Sequence, residues 1–263
     1  MVHLLRYCQL LSTMDPESKE DYFMNSTTHQ CQASHGATLV YDVMGQGAPV
    51  VLLHGNSQDS SYFEQQFDVL SQSYQLIAMD TRAHGRSSRG TAPLDFYLFA
   101  DDVIAVLDDM GIEKAHLLGF SDGGNIALHT VLKYPDRILS VISDGANLFP
   151  AGLTQPTQDH HKEKYAMLCQ KAKEDPSFDQ ICEVYGLMVH HPNLTFEDLH
   201  AIHTPALVLA GEHDVILTEH TQAIAEAIDG AELYIVKDGD HYIAAKMPEV
   251  FNALVLDFLA AHS

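Results

Sequence analysis

Short, unbroken runs of apolar residues alternate with helical periods along most of this chain, and few folds can use such a pattern. The runs at 50–53, 75–79, 115–118, 138–142, 206–209 and 233–236 are too short for helices and suit strands covered on both faces. Between them the period changes. Val103, Val106, Leu107 and Met110 recur at helical spacing, with Gly111 placed to end the helix. Residues 126–132 start just after Gly123-Gly124 and stop before Pro135, and Val250, Phe251, Leu254, Val255 and Phe258 form an apolar stripe near the end. This alternation predicts a mostly parallel sheet of about eight strands between two layers of helices, an α/β/α domain. Residues 37–43 alternate apolar with polar and end at Gly45 and Gly47, which predicts an early antiparallel hairpin strand.

A chain of 263 residues, 46% hydrophobic and 19% charged, can bury one such core without staples. The net charge of −22 repels phosphate backbones and anionic lipid heads, so neither nucleic acid nor a membrane is an expected partner, and a small molecule is. Residues 1–11 are mildly apolar but broken by Arg6 and Gln9, and predict neither a secretory signal nor a membrane span. Residues 1–30 read as a loosely attached extension, and Met14 and Met24 could each begin a complete chain. The four cysteines lack the density and spacing of a disulfide framework or a zinc site. They predict reduced thiols in a cytoplasmic protein, with Cys169 and Cys182 as small buried apolar residues.

Residues 148–204 break the alternation. They contain no good strand, only helical stretches at 165–173 and 178–189, punctuated by Pro150, Pro156, Pro176 and Pro192. The expected division is therefore an α/β core at 31–147 and 205–263, with 148–204 inserted as a small helical cap over the strand ends.

The chemistry concentrates at those ends. Gly119-Phe120-Ser121-Asp122-Gly123 lies between a strand run and a helix. A serine on so sharp a turn needs small residues two positions either side, and the turn lifts its hydroxyl clear of the sheet. Upstream, the 50–53 strand runs into His54-Gly55-Asn56-Ser57, a loop able to set the N–H of Asn56 beside that of Asp122 as an oxyanion hole. His54 reads as a brace for that loop. Asp214 ends Gly211-Glu-His-Asp214 after a strand, and His241 follows the last strand in Gly239-Asp240-His241. Nucleophile, acid and base in that chain order suit this architecture. Asp144 also ends a strand and is an alternative acid, although the Gly-x-x-Asp turn favours Asp214.

These motifs, with Asp80-Thr-Arg82-Ala-His84-Gly85-Arg-Ser87 and Asp144-Gly-Ala-Asn147, resemble the α/β-hydrolase fold superfamily over roughly residues 36–263. Within it the chain resembles the small-capped serine hydrolases of the valacyclovir hydrolase (biphenyl hydrolase-like) type. The resemblance implies Ser121 as nucleophile, Asp214 as acid, His241 as base and the Asn56 and Asp122 amides as oxyanion hole. It leaves the substrate open, because the cap diverges. Asp122 and Asn147 are candidate substrate-binding residues: Asp122 could pair with a substrate ammonium, or pack back into the turn and lend only its N–H, the preferred reading. Asp80, Arg82, His84 and Ser87 read as bracing. Seventeen histidines include His160-His161, His190-His191, His200 and His203, but no carboxylate spacing completes a metal site, so these read as solvated cap residues and no metal or cofactor is expected. The expected activity is hydrolysis of small carboxylic esters or related acyl compounds. Acyl transfer, C–C hydrolysis or perhydrolysis could use the same triad, and a non-catalytic binding protein the same scaffold. Ser121 excludes the carboxylate-nucleophile chemistry of epoxides and haloalkanes. The oligomeric state is not legible.

Overall fold

A computed structural model describes residues 26–262. Among these, eight strands form one sheet: β1 Thr27–Gln32, β2 Thr38–Met44, β3 Ala48–Leu53, β4 Tyr74–Asp80, β5 Ala115–Phe120, β6 Ile138–Asp144, β7 Ala206–His213 and β8 Glu232–Asp240. Their order is β1-β2-β4-β3-β5-β6-β7-β8. β2 pairs antiparallel with β1 and β4, and the other neighbours pair in parallel. Every strand predicted from the sequence is present. β1 begins inside the span read as an extension; a polar hexapeptide forms a strand here because its backbone pairs with β2, a tertiary cause. The rest of that span, 1–25, lies outside the described residues, and with it the readings made of the first segment.

Two apolar cores form, one on each face of the sheet. One is covered by α2 Phe96–Asp109, α3 Asp122–Lys133 and α7 Thr218–Ala227, the other by α1 Glu64–Leu70 and α9 Pro248–Ala261. Helix α2 follows from its sequence: the Asp95 side chain accepts from Leu98 N (2.7 Å) at its start, and Gly111, at φ +66°, turns the chain just beyond its end. Between β6 and β7 lie α4 Gln155–Glu174, α5 Asp179–His190 and α6 Phe196–Leu199, and between β8 and α9 the short α8 Ile243–Lys246. None of the described helices is long and apolar enough to cross a membrane.

The cysteine reading is corrected here. Cys169 on α4 and Cys182 on α5 form a disulfide, their Cα atoms 5.4 Å apart because the two helices fold back on each other. Thirteen residues of spacing do not reveal such a pairing, whereas a helical hairpin does. The reduced-thiol argument for a cytoplasmic location does not apply to this pair.

One buried ion pair anchors the loop that follows β4. Arg82 and Asp102 have no exposed side-chain surface, and the guanidinium meets both carboxylate oxygens (2.7 and 2.5 Å). Removing one partner leaves an uncompensated buried charge. Asp102→Ala should therefore lower stability by about 3–5 kcal/mol, with a fall of roughly 10 °C in melting temperature. A fall of under about 2 °C in a thermal melt would contradict this assignment.

Candidate active site

The site is built where β3, β5, β7 and β8 end on one rim of the sheet. Ser121 is the first residue after β5 and holds φ +55°, ψ −118°, a backbone state that side chains rarely tolerate. The turn is pinned by Ser121 N donating to Asp144 O (2.7 Å). It is also packed so tightly that a Cβ on Gly123 would run into the Leu53 carbonyl at the end of β3. Ser121 occupies the N-cap position of α3, where a serine hydroxyl ordinarily bonds a helix N–H. Here it makes no such bond. Its Oγ lies instead 3.1 Å from His241 Nε2.

His241 follows β8 and is nearly enclosed. Its Nδ1 lies 2.7 Å from Asp214 Oδ1, and Phe120 stands against the ring with centroids 4.8 Å apart. Asp214 ends the turn after β7, and Ile216 N donates to the same carboxylate oxygen (3.0 Å). Burial alone would raise the Asp214 carboxyl. The neighbouring imidazole and these amide bonds outweigh it and hold the group below the ordinary carboxylate range. An ionised Asp214 accepts from Nδ1–H, which leaves Nε2 as an acceptor for the serine hydroxyl. Gly145 completes the fit: a Cβ there would stand 2.9 Å from His241 Cε1.

Asp144 lies in the same region but makes no such contact. Its side chain is fully buried, and neither carboxyl oxygen has a hydrogen-bond partner among the described residues. Burial first, then the charge of Asp214, pushes its carboxyl well above the usual range, so it is neutral where Asp214 is charged. Of the two strand-end acids, only Asp214 is hydrogen-bonded to the imidazole.

Asn56 and Asp122 both line the cavity above Ser121. The Asn56 side chain, unremarked in the sequence, donates to Asp122 Oδ2 (2.9 Å) and to Val184 O on α5 (2.8 Å), tying the core loop to the insertion. The Asp122 carboxyl is pushed up to about 6 by burial, against the lowering effect of Asn56, Asn125 and His241. Asn147 also faces the cavity but is occupied: its Oδ1 accepts from Asn125 Nδ2 (3.4 Å) and its Nδ2 donates to Phe149 O (3.0 Å). His54 braces its loop. Thr81 N donates to its Nε2 (3.1 Å), so Nδ1–H donates to Gly55 O (2.8 Å). Asp80 accepts from Ser60 N and Arg86, and Ser87 Oγ donates to Asp80 O (2.6 Å).

The cavity, about 690 Å³, is roofed by α4 and α5. His160 and His161 both line it; His160 is exposed, as a solvated cap residue is, whereas His161 is half-buried with its Nδ1 2.9 Å from the Tyr185 hydroxyl. His190 and His191 separate, one against Tyr165 and the other against Phe96. Elsewhere, Glu212, His213 and Asp238 bring donor atoms within 4.8 Å of one another at the exposed ends of β7 and β8; acidic groups on a surface do this without a metal.

A hydroxyl, an imidazole and a carboxylate are thus aligned at the floor of one cavity. The alpha/beta hydrolase fold family model matches residues 48–195, more than half of the chain. The chain belongs to the α/β hydrolase fold family. It is a hydrolytic enzyme of that fold. It is 28% identical to the human serine hydrolase BPHL over 256 residues, spanning 90% of this chain and 88% of that protein. It is 27% identical to the putative carbamate hydrolase RutD of Azorhizobium caulinodans, over 86% of this chain and 97% of that protein. Among solved structures it resembles Est816, an N-acyl homoserine lactone degrading enzyme, with a TM-score of 0.71 and 26% identity over 88% of this chain and 100% of that one.

The elevated Asp122 carboxyl has a measurable consequence. A carboxyl whose folded pKa exceeds its unfolded value binds more protons when folded, so stability declines as pH rises from the unfolded value toward about 6. Asp122→Asn removes that penalty. The variant should gain stability over the parent between pH 4 and pH 7, reaching about 3 kcal/mol at most. Thermal melts across that range showing a constant difference would contradict this reading.

Proposed function

We propose that this chain is a serine hydrolase that cleaves small carboxylic esters or related acyl compounds through an acyl-enzyme intermediate. One observation carries this reading: the continuous relay from Ser121 Oγ to His241 Nε2, and from His241 Nδ1 to Asp214 Oδ1. His241 accepts the hydroxyl proton as Ser121 attacks the carbonyl, then delivers it to the departing alcohol. Asp214 holds the imidazole tautomer and stabilises the imidazolium. Water, activated by the same imidazole, releases the acid and restores the serine.

The carbonyl oxygen becomes negative on attack and is stabilised by two amides. The N–H of Asp122 opens α3, where the first helical amides lack intrahelical partners. In the opposite loop Gln58 Oε1 takes the Gly55 N–H (2.9 Å), and the next amide, Asn56, is the one assigned to the oxyanion. The Asp122 and Asn147 side chains serve as braces, since their polar atoms already have protein partners. Segment 148–204 acts as a cap over the core of 31–147 and 205–263. The cavity volume and largely apolar walls suit a small substrate. The chemistry draws on no cofactor or metal, and the names of the relatives, which include carbamate and lactone substrates, fit the same acyl transfer to water.

Ser121→Ala should reduce turnover of a short p-nitrophenyl ester by about 10⁴- to 10⁶-fold while the thermal melt is retained. Asp214→Asn should cost about 10⁴-fold by disturbing the imidazole tautomer. Asp144→Asn, at a carboxyl with no hydrogen bond to the imidazole, should keep most of the activity. Steady-state kinetics showing Asp144 indispensable and Asp214 dispensable would reassign the acid.

A further inference from the structure

The wall of the cavity contributed by α4 differs from the rest. His160, His161 and Lys164 all line it, at i, i+1 and i+4, so His160 and Lys164 stand in one stripe with His161 beside them. In a chain with 14 lysines and arginines against 36 acidic residues, cations are scarce, and six of the twelve within the described residues pair with a carboxylate. Arg82, Arg86, Arg89 and Arg137 each pair with a carboxylate. Lys164 does not. Among the described residues no carboxylate lies within ion-pair distance of it, and its ammonium stands over the Tyr185 ring, 6.0 Å from the centroid. The same tyrosine holds His161.

The cavity carries groups of both signs. Asp122, beside the nucleophile, is bonded by Asn56 and Asn125. Lys164, exposed on α4, brings a positive charge to the same cavity. The spacing can be read along the helix. His161 and His241 line the same cavity, so α4 faces the catalytic imidazole at that residue. Lys164 is three residues further on, about 4.5 Å along the axis.

We infer that the substrate carries an anionic group, in the simplest case a carboxylate a few bonds from the scissile carbonyl, seated against Lys164 with His160 and His161 beside it. This rests on the acyl-hydrolase reading and names its substrate class: half-esters of short dicarboxylic acids and their acyl analogues. Neutral esters of the same length lack the charge that the α4 wall recognises.

The test compares monomethyl glutarate with its neutral counterpart methyl pentanoate. The ratio of kcat/KM for the charged over the neutral ester should exceed one in the parent protein. In Lys164→Gln it should fall by about tenfold, the strength of a hydrogen bond to a charged group. Lys164→Arg should restore it, and raising salt from 0.05 to 0.5 M should erode it. A second readout is independent of turnover: calorimetric binding of monomethyl glutarate to Ser121→Ala, with and without Lys164→Gln. Binding that depends on Lys164 supports the anion site even if no ester is cleaved, in which case the hydrolase reading alone fails. Efficient cleavage of both esters with a ratio indifferent to Lys164 overturns the anion site and leaves the hydrolase reading standing.

Discussion

The site depends on a backbone constraint, the left-handed conformation of Ser121 in the turn from β5 to α3. That conformation costs of order 1–3 kcal/mol for a residue with a side chain and persists because its surroundings leave no alternative. Asp144 O holds the serine amide, and α3 starts so close to β3 that only glycine fits at 123. The same turn denies Ser121 the capping bond its position would normally provide and aims the hydroxyl at His241. Residues from strands far apart in the chain meet because parallel strands end on one rim, and the tight turn decides which atom faces them.

Three buried carboxyls around this turn show how environment assigns roles to one functional group. Asp214 is held low by an imidazole and amide donors. Asp144, without a donor and beside Asp214, is pushed high. Asp122 lies between, with two asparagine amides offsetting burial in part. Only the first is both charged and bonded to the base. The two asparagines also explain why Asp122 is tolerated beside the serine: each donates to one of its carboxyl oxygens.

Much of this was legible in the sequence because it depends on local pattern. Short apolar runs marked the parallel strands, glycines at 119 and 123 marked the turn, and the order serine, acid, histidine marked the rim. What escaped notice depends on tertiary packing. Thr27–Gln32 has no apolar face of its own and is a strand because β2 offers a partner. Cys169 and Cys182 pair because α4 and α5 fold back on each other, which no spacing rule encodes. The role of Gly145 is set by a residue distant in the chain: a Cβ there would stand 2.9 Å from His241 Cε1. His161 had the composition of a solvated helix residue and acquires its setting from Tyr185 on the neighbouring helix. Between Asp144 and Asp214 the sequence offered two strand-end acids, with the Gly-x-x-Asp turn favouring Asp214, and the hydrogen bond of His241 falls on that one.

The central claim is that the hydroxyl of Ser121 is made nucleophilic by His241. Exposure to a fluorophosphonate at neutral pH, followed by intact-mass measurement and peptide mapping, tests it most directly. The account predicts a single covalent adduct on Ser121, formed rapidly in the parent protein and not on the same timescale in His241→Ala. An unmodified protein, an adduct on a different residue, or labelling of Ser121 at an equal rate without the imidazole would contradict it.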